Sequence, residues 1–246
     1  MIASLPDEVH VWLARPEERQ DQSFLAGCAA LLDADEHARL DRFLVEHARL
    51  EFLVGRAFLR SVLGAYLGEA PELLALAASA DGKPELRWPA PHVRFNLSNT
   101  AGLIACAITH DRDVGIDVER ADREVEVLEL ADRFFASSEA ADLRALAPAL
   151  RLRRFFEYWT LKESYVKAVG SGLALPLDRF WFHLEDPPRV TFASGFADDA
   201  ERWQFFQIQP TTHHLLAVAV APAGGQPTGD PAPLRLVVRD AAALPW

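Results

Sequence analysis

Between Asp33 and Tyr66 the apolar residues fall into a helical rhythm. Leu50, Leu53, Val54, Ala57 and Phe58 recur at i, i+3, i+4, i+7 and i+8, the spacing of a helix face turned to a core. A strand signal precedes this stretch at Val9–Ala14. Residues Ser79–Pro91 break into turns, tightest at Asp81-Gly82-Lys83-Pro84, where glycine and proline punctuate the chain. Three runs of β character follow, Val93–Leu97, Leu103–Thr109 and Val114–Glu119. A second helical stretch extends from about Val125 to Val169, interrupted near Ala136 and again near Pro148. The remainder reads as strands at Phe180–Leu184, Val190–Phe192, Trp203–Gln209, His214–Val220 and Leu234–Val238, with a Pro/Gly loop over Pro222–Pro231. The order of strand, helix, strands, then helix, strands predicts an α+β protein. Two similar α+β halves with pseudo-twofold symmetry, 1–110 and 111–246, are expected to join near His110, without sequence repetition between them.

Composition narrows the classes. The chain has 246 residues, half of them apolar, enough to bury real cores and to offset the entropy of ordering. Its net charge of −11 argues against non-specific contact with nucleic acid or anionic membrane. An anionic small ligand stays open, because local arginines can dominate a cleft. No apolar run approaches the roughly 20 residues that span a bilayer. MIASLPDEVHVWLARPEE shows no basic n-region leading into an apolar h-region. Cys28 and Cys106 match no metal or redox spacing and read as two reduced, buried thiols. A soluble, cytoplasmic chain is expected.

Candidate chemistry begins in VGIDVER. Alternation along a strand puts Val114, Ile116 and Val118 on one side and Asp117 with Glu119 on the other. Two acids sharing a face repel unless a cation or solvent separates them. Hard oxygen ligands so spaced suit magnesium; an ordinary solvated acidic face is the plain alternative. In RRFFEYWTLKESYVKAVGSGL, a rotation of about 100° per residue gathers Phe155, Tyr158, Trp159, Tyr165, Val166 and Val169 on one apolar face. Glu163 and Lys167, spaced i and i+4, share another flank, where they can meet a common ligand or simply each other. Lys162 lies inside the apolar sector, so its ammonium either snorkels to the edge or meets a buried anion.

VGIDVER, followed about forty residues later by WTLKESYVKAVGSGL, resembles the G-x-D-x-E and W-x-x-K-E-S/A-x-x-K signatures of the 4′-phosphopantetheinyl transferases. The likeness is closest to the larger, surfactin-synthetase-activating (Sfp) type. LVGRAFLRSVLG, ADGKP, VRFNLSNT and ADRFFASSEAADL are similar to further segments of that family, in the family's order, over roughly residues 49–182.

The resemblance implies the family's fold, a soluble monomer and transfer of 4′-phosphopantetheine from coenzyme A to a serine of an apo acyl or peptidyl carrier protein. Asp117, Glu119 and Glu163 would hold Mg²⁺, and Lys167, assisted by Lys162, would neutralise the coenzyme A diphosphate. Lys83, Pro84 and Ser98 would border the adenine. Glu139 lies where the family's serine-activating base has been proposed, with Glu163 through a water as the other choice. Glu139 equally suits a helix first turn behind a capping Ser137 or Ser138. Arg49, Arg56 and Arg60 form a basic stripe on a continuous helix, near where the family binds the 3′-phosphate of coenzyme A. Asn99 departs from the pattern, standing where the family usually carries a histidine that contacts the diphosphate. It keeps a neutral donor and loses the positive charge. Carrier contact is expected to be small and largely apolar, helped by Arg151, Arg153 or Arg154. A magnesium-dependent nuclease and a non-catalytic coenzyme A or carrier-binding protein remain the alternatives from other classes.

Overall fold

A computed structural model describes residues 7–78, 84–86, 92–170, 175–222 and 233–244. Among the described residues two sheets pack face to face, each covered on its outer side by a helix of 22 residues. The first sheet contains β1 (Glu8–Ala14), β4 (Val93–Thr100), β5 (Leu103–His110) and β11 (Arg235–Asp240), in the order β11-β1-β5-β4. The second contains β6 (Arg112–Arg120), β9 (Gln204–Thr211) and β10 (His214–Pro222), in the order β6-β10-β9. Short pairs, β2 (Leu76–Ala78) with β3 (Pro84–Leu86) and β7 (Phe180–His183) with β8 (Arg189–Phe192), complete the β structure. Around them lie α1 (Gln22–Ala30), α2 (Ala34–Leu40), α3 (Glu46–Leu67), α4 (Val127–Phe134), α5 (Ser137–Ala145) and α6 (Pro148–Val169). Among the described residues no helix is long and apolar enough to cross a membrane.

Strand alternation builds the layers. Val9, Val11, Leu103, Ala105, Val114, Ile116, Val118, Leu216 and Val218 fill the space between the sheets. Trp12, Ile104, Cys106 and Ile108 point the other way, onto α3. Leu215, Ala217, Ala219 and Ala221 point onto α6. The sheets also meet edge to edge. Asn96 Oδ1 accepts a hydrogen bond from Ile116 N at 2.9 Å, and Ser98 Oγ accepts one from Val118 N at 3.3 Å. Side chains of β4 thereby cap the exposed edge of β6, which would otherwise carry unpaired donors.

The α+β class and the mid-chain elements follow the sequence expectation, with differences that have local causes. The helical region from Asp33 is two helices. A capping box of Asp33 with Glu36 starts α2, and bonds from Arg42 N to Arg39 O and from Phe43 N to Leu40 O tighten its last turn and end it. The arginine stripe therefore lies on α3 alone. α1 has no counterpart in the expectation, since only Phe24 and Cys28 of its residues are buried and its periodicity is faint. At α5 neither Ser137 nor Ser138 is the N-cap; Ala136 holds that position, and its N–H donates to Glu139 Oε2. Finally, β11 runs parallel beside β1, so the chain's last strand crosses the division placed at residue 110 and joins the first sheet.

Candidate active site

β6 and α6 face one another, and the acids singled out in the sequence lie between them. Asp117 and Glu119 project from β6 toward the helix, as strand alternation requires. Glu163 and Lys167, one turn apart on α6, project back. Gly115 makes the approach possible. A Cβ there would stand 2.0 Å from Ser164 O and 2.4 Å from Ala168 N, and those atoms belong to the residues that follow Glu163 and Lys167.

The resulting cleft, about 460 Å³, is lined by Leu97, Ser98, Asn99, Asp117, Val118, Glu119, Phe134, Trp159, Glu163, Lys167 and Leu177. Lys167 Nζ donates to Asp117 Oδ1 at 2.6 Å and to Ser98 Oγ at 3.0 Å, and Ser98 Oγ donates to Asp117 Oδ1 at 3.1 Å. Asp117 Oδ2 is buried without a hydrogen-bond partner. A lone carboxylate oxygen out of water is costly unless a cation or donor completes it. Arg123 lies 3.0 Å from Glu119 Oε2. Burial, and then the Asp117 charge, push the Glu119 carboxyl up to about 7. The same two causes raise Glu163.

These are the conditions of a divalent-cation site: oxygen donors of one sign held together against their repulsion, one of them unsatisfied. The donor set therefore fits a hard ion, with Asp117, Glu119 and Glu163 as the residues that would hold it. Their oxygens do not gather as tightly as the ligand atoms of His92, His110 and Asp111, the one group of three or more potential ligands within 4.8 Å of each other among the described residues.

The other expected site residues are placed as follows. Ser98 and Asn99 line the cleft. Lys83 lies outside the described residues, as does the side chain of Pro84, whose backbone opens β3. Lys162, expected beside the diphosphate, and Glu139, expected as a candidate base, are instead brought together as a pair. Lys162 is fully buried and pairs with Glu139 Oε2 at 2.8 Å. Its ammonium also donates to Leu177 O at 2.8 Å and to Phe180 O at 2.7 Å. Glu139 Oε1 accepts from Phe182 N at 3.0 Å, and Oε2 from Ala136 N at 3.1 Å. Both oxygens of Glu139 are thus engaged and both side chains are buried, the arrangement of a structural pair. The pair ties α5, α6 and β7 together.

Two members of the arginine stripe are paired within the chain. Arg60 is fully buried and binds Asp33, Glu36 and the carbonyls of Pro71 and Leu74. Arg56 stands 3.3 Å from Glu36 Oε1. Arg49 is half exposed, 4.0 Å from Asp41. Arg151, Arg153 and Arg154 are engaged within the chain, by Leu146 O and Arg144 O, by Glu157 and Gln209, and by Asp142 and Glu157 respectively. Residue-by-residue reading missed Gly115, the Ser98 relay, and the apolar wall of Phe134 and Trp159, whose rings meet edge to face at 6.1 Å. A glycine inside an otherwise β-branched strand was the available signal for the first.

Two family models match. One is described as the 4′-phosphopantetheinyl transferase superfamily and covers residues 113–220. The other, 4′-phosphopantetheinyl transferase, N-terminal, covers residues 16–110. The 4′-phosphopantetheinyl transferase HetI of Nostoc sp. is 37% identical over 230 residues, 92% of this chain and 93% of that protein. The 4′-phosphopantetheinyl transferase Sfp of Bacillus subtilis is 27% identical over 182 residues, 74% of this chain and 78% of its own length. The solved holo-acyl-carrier-protein synthase of Thermotoga maritima aligns with 44% of this chain and 62% of its own, at 21% identity and a TM-score of 0.36, too distant to add weight.

Proposed function

Because the chain belongs to the 4′-phosphopantetheinyl transferase family, we propose that the cleft between β6 and α6 is its active centre, built to hold Mg²⁺ beside the diphosphate of coenzyme A. The activity is transfer of the 4′-phosphopantetheine arm of coenzyme A to a carrier protein. The family takes coenzyme A as substrate and uses a divalent metal. Neither the nuclease nor the non-catalytic binder has a counterpart among these relatives.

The observation that carries the site assignment is Asp117 Oδ2, buried and unpartnered in a cleft with two further carboxylates. Asp117, Glu119 and Glu163 would hold the ion, which when bound supplies positive charge to the diphosphate of coenzyme A, including the phosphate that leaves with 3′,5′-ADP. Lys167 adds a fixed cation on the same side, aimed by Ser98 Oγ. Asn99, at the mouth, offers a neutral amide donor to a phosphate oxygen. Phe134, Trp159 and Leu177 give the cleft an apolar wall that excludes water and strengthens each charge inside. Glu163, its carboxyl raised by burial, would take the carrier serine's proton through a water. The serine Oγ then bonds to the phosphorus carrying pantetheine as the P–O bond to 3′,5′-ADP breaks, in line. Positioning and charge neutralisation supply most of the acceleration.

The Sfp-like type is proposed on the match of separate family models to the two halves, residues 16–110 and 113–220. These matches also support a division at residues 110 and 111, with β11 returning to the first sheet. A cytoplasmic monomer is part of the same proposal, and the net charge of −11 speaks against a nucleic-acid ligand.

Intact-mass spectrometry tests the centre. Apo acyl and peptidyl carrier domains incubated with the protein, coenzyme A and Mg²⁺ should gain one phosphopantetheine. The gain should vanish with a chelator and return with added Mg²⁺. Undiminished transfer under chelation would overturn the metal assignment.

A further inference from the structure

Where the two halves join, three potential metal ligands that the cleft does not use converge. His92 precedes β4, His110 ends β5, and Asp111 leads into β6. His92 Nδ1 lies 2.9 Å from Asp111 Oδ2 and 3.1 Å from Oδ1. His110 Nδ1 lies 3.3 Å from the same Oδ2. The imidazoles are stacked, with planes 7° apart and centroids 5.3 Å apart. One ligand atom from each residue falls within 4.8 Å of the other two.

The backbone fixes this arrangement. β4 and β5 pair Val93 with His110, and Asp111 N donates to His92 O at 2.8 Å. Asp111 adopts φ 51°, in the left-handed region that asparagine, aspartate and glycine tolerate best. The ligands therefore sit on a rigid ladder, the support that precise metal sites need. All three are open to solvent, with relative exposures of 64% for His92, 36% for His110 and 51% for Asp111, so an ion can enter. The Arg94 charge also bears on Asp111 and tempers its attraction for a cation.

We propose that His92, His110 and Asp111 form a second metal site, selective for a zinc-class divalent ion and separate from the acid-lined cleft. The geometry is close to what such an ion requires. Zinc binds imidazole nitrogen and carboxylate oxygen at about 2.0–2.1 Å in a tetrahedron, whose ligand-to-ligand edges are then about 3.3–3.4 Å. The spacings of 2.9 Å and 3.3 Å about Asp111 Oδ2 are near that value, and the third edge, between the imidazoles, lies within 4.8 Å and closes by side-chain rotation. Two imidazoles with one carboxylate leave a fourth position for water. Without an ion, two Nδ1 atoms crowd one carboxylate oxygen; an ion would replace that competition with three lone pairs on one centre.

The donors separate this site from the cleft by chemistry. Imidazole suits Zn²⁺, Ni²⁺ and Cu²⁺, whereas Mg²⁺ prefers oxygen ligands and water. Six residues along β4, from His92 to Ser98, separate the two sites by about 20 Å. An ion here would fasten the start of β4 to the junction of β5 and β6, the strands that carry Ser98 and Asp117.

Isothermal titration of the full chain with ZnCl₂, in excess Mg²⁺ to occupy the cleft, should show one equivalent bound, weakening as imidazole protonates at acid pH. His92→Ala or His110→Ala should lower Zn²⁺ affinity by more than the roughly 10–100-fold typical of losing a group outside the ligand set. His92→Gln/His110→Gln keeps amide donors for Asp111 and should stay folded, lose the bound equivalent, and transfer phosphopantetheine at the wild-type rate with Mg²⁺. No Zn²⁺ uptake by the wild type would overturn the proposal. So would unchanged uptake by the Gln/Gln variant, including uptake that Asp117→Asn then abolishes.

Discussion

Lys167 Nζ stands 2.6 Å from Asp117 Oδ1, a charged contact that joins α6 to β6. The other oxygen of that carboxylate is left buried and unpartnered. One side of Asp117 is thus held by the protein, and the other is presented to whatever cation enters.

Removing that presentation should remove catalysis without unfolding the chain. Asp117→Asn keeps the shape and the contact with Ser98 but loses the charge. Glu163→Gln does the same from the helix. Each should lower the transfer rate by on the order of 10²–10³-fold, the usual cost of losing one preorganised electrostatic element. Circular dichroism should be unchanged. Near-normal mass gain on an apo carrier, in either variant, would refute the assignment of these acids.

The cleft should also make stability respond to pH in a particular direction. In the folded chain Glu119 protonates at about 7, against 4.5 for an ordinary glutamate, and Glu163 is raised as well. Between those values the folded state holds protons that the unfolded state has released, so stability falls as pH rises through the window. A divalent ion needs ionised ligands, so its stabilising effect grows over the same range. Thermal scans from about pH 5 to about pH 8 should show the Tm difference with and without Mg²⁺ widening as pH rises. Glu119→Gln should flatten the metal-free slope and shrink the Mg²⁺ response. A slope in Glu119→Gln equal to that of the wild type would show that this carboxyl is not the source.

How much of this was legible in the sequence depends on the range of each interaction. Period-two alternation is local, so VGIDVER alone assigned Asp117 and Glu119 to one face and Val114, Ile116 and Val118 to the inter-sheet core. Helical rotation likewise placed Glu163 with Lys167 and flagged Lys162 as anomalous. Pairing is not local. Nothing near Lys162 announces Glu139 as its partner, nor does Arg60 announce Asp33 and Glu36. The return of β11 to β1 is invisible for the same reason, since a strand's sequence specifies its faces far better than its neighbour. His92, His110 and Asp111 were passed over because their convergence arises from ladder register and one left-handed residue, not from a spacing motif.

Gly115 gives a sharp test of the approach between helix and strand. A methyl group there meets backbone atoms on α6 at 2.0 Å and 2.4 Å, and backbone in a helix cannot step aside. Gly115→Ala should cost at least the roughly 1–3 kcal/mol typical of overpacking. It should also draw Glu163 and Lys167 back from Asp117, so transfer should fall even at temperatures where the variant is folded. Gly27→Ala, in α1 with nothing within 4 Å of the added carbon, should instead stabilise by about 0.5–1 kcal/mol. Equal effects from the two substitutions would contradict the close approach.

Glu139 and Lys162 set a support role against a chemical one. The ammonium spends its three donors on Glu139 Oε2, Leu177 O and Phe180 O, and nothing remains for a substrate. Glu139→Ala leaves that charge buried and unpaired, which should cost about 3–5 kcal/mol and lower Tm sharply. Glu139→Gln with Lys162→Met removes both charges, and should be less destabilising than the two single losses added together, a coupling that a double-mutant cycle measures directly. Because the pair holds β7 and the Leu177 wall rather than a proton in flight, Glu139→Gln should transfer phosphopantetheine within a few-fold of the wild-type rate wherever it is folded. A rate lowered by about 10²-fold at unchanged Tm, the contribution expected of a general base, would return Glu139 to the chemistry.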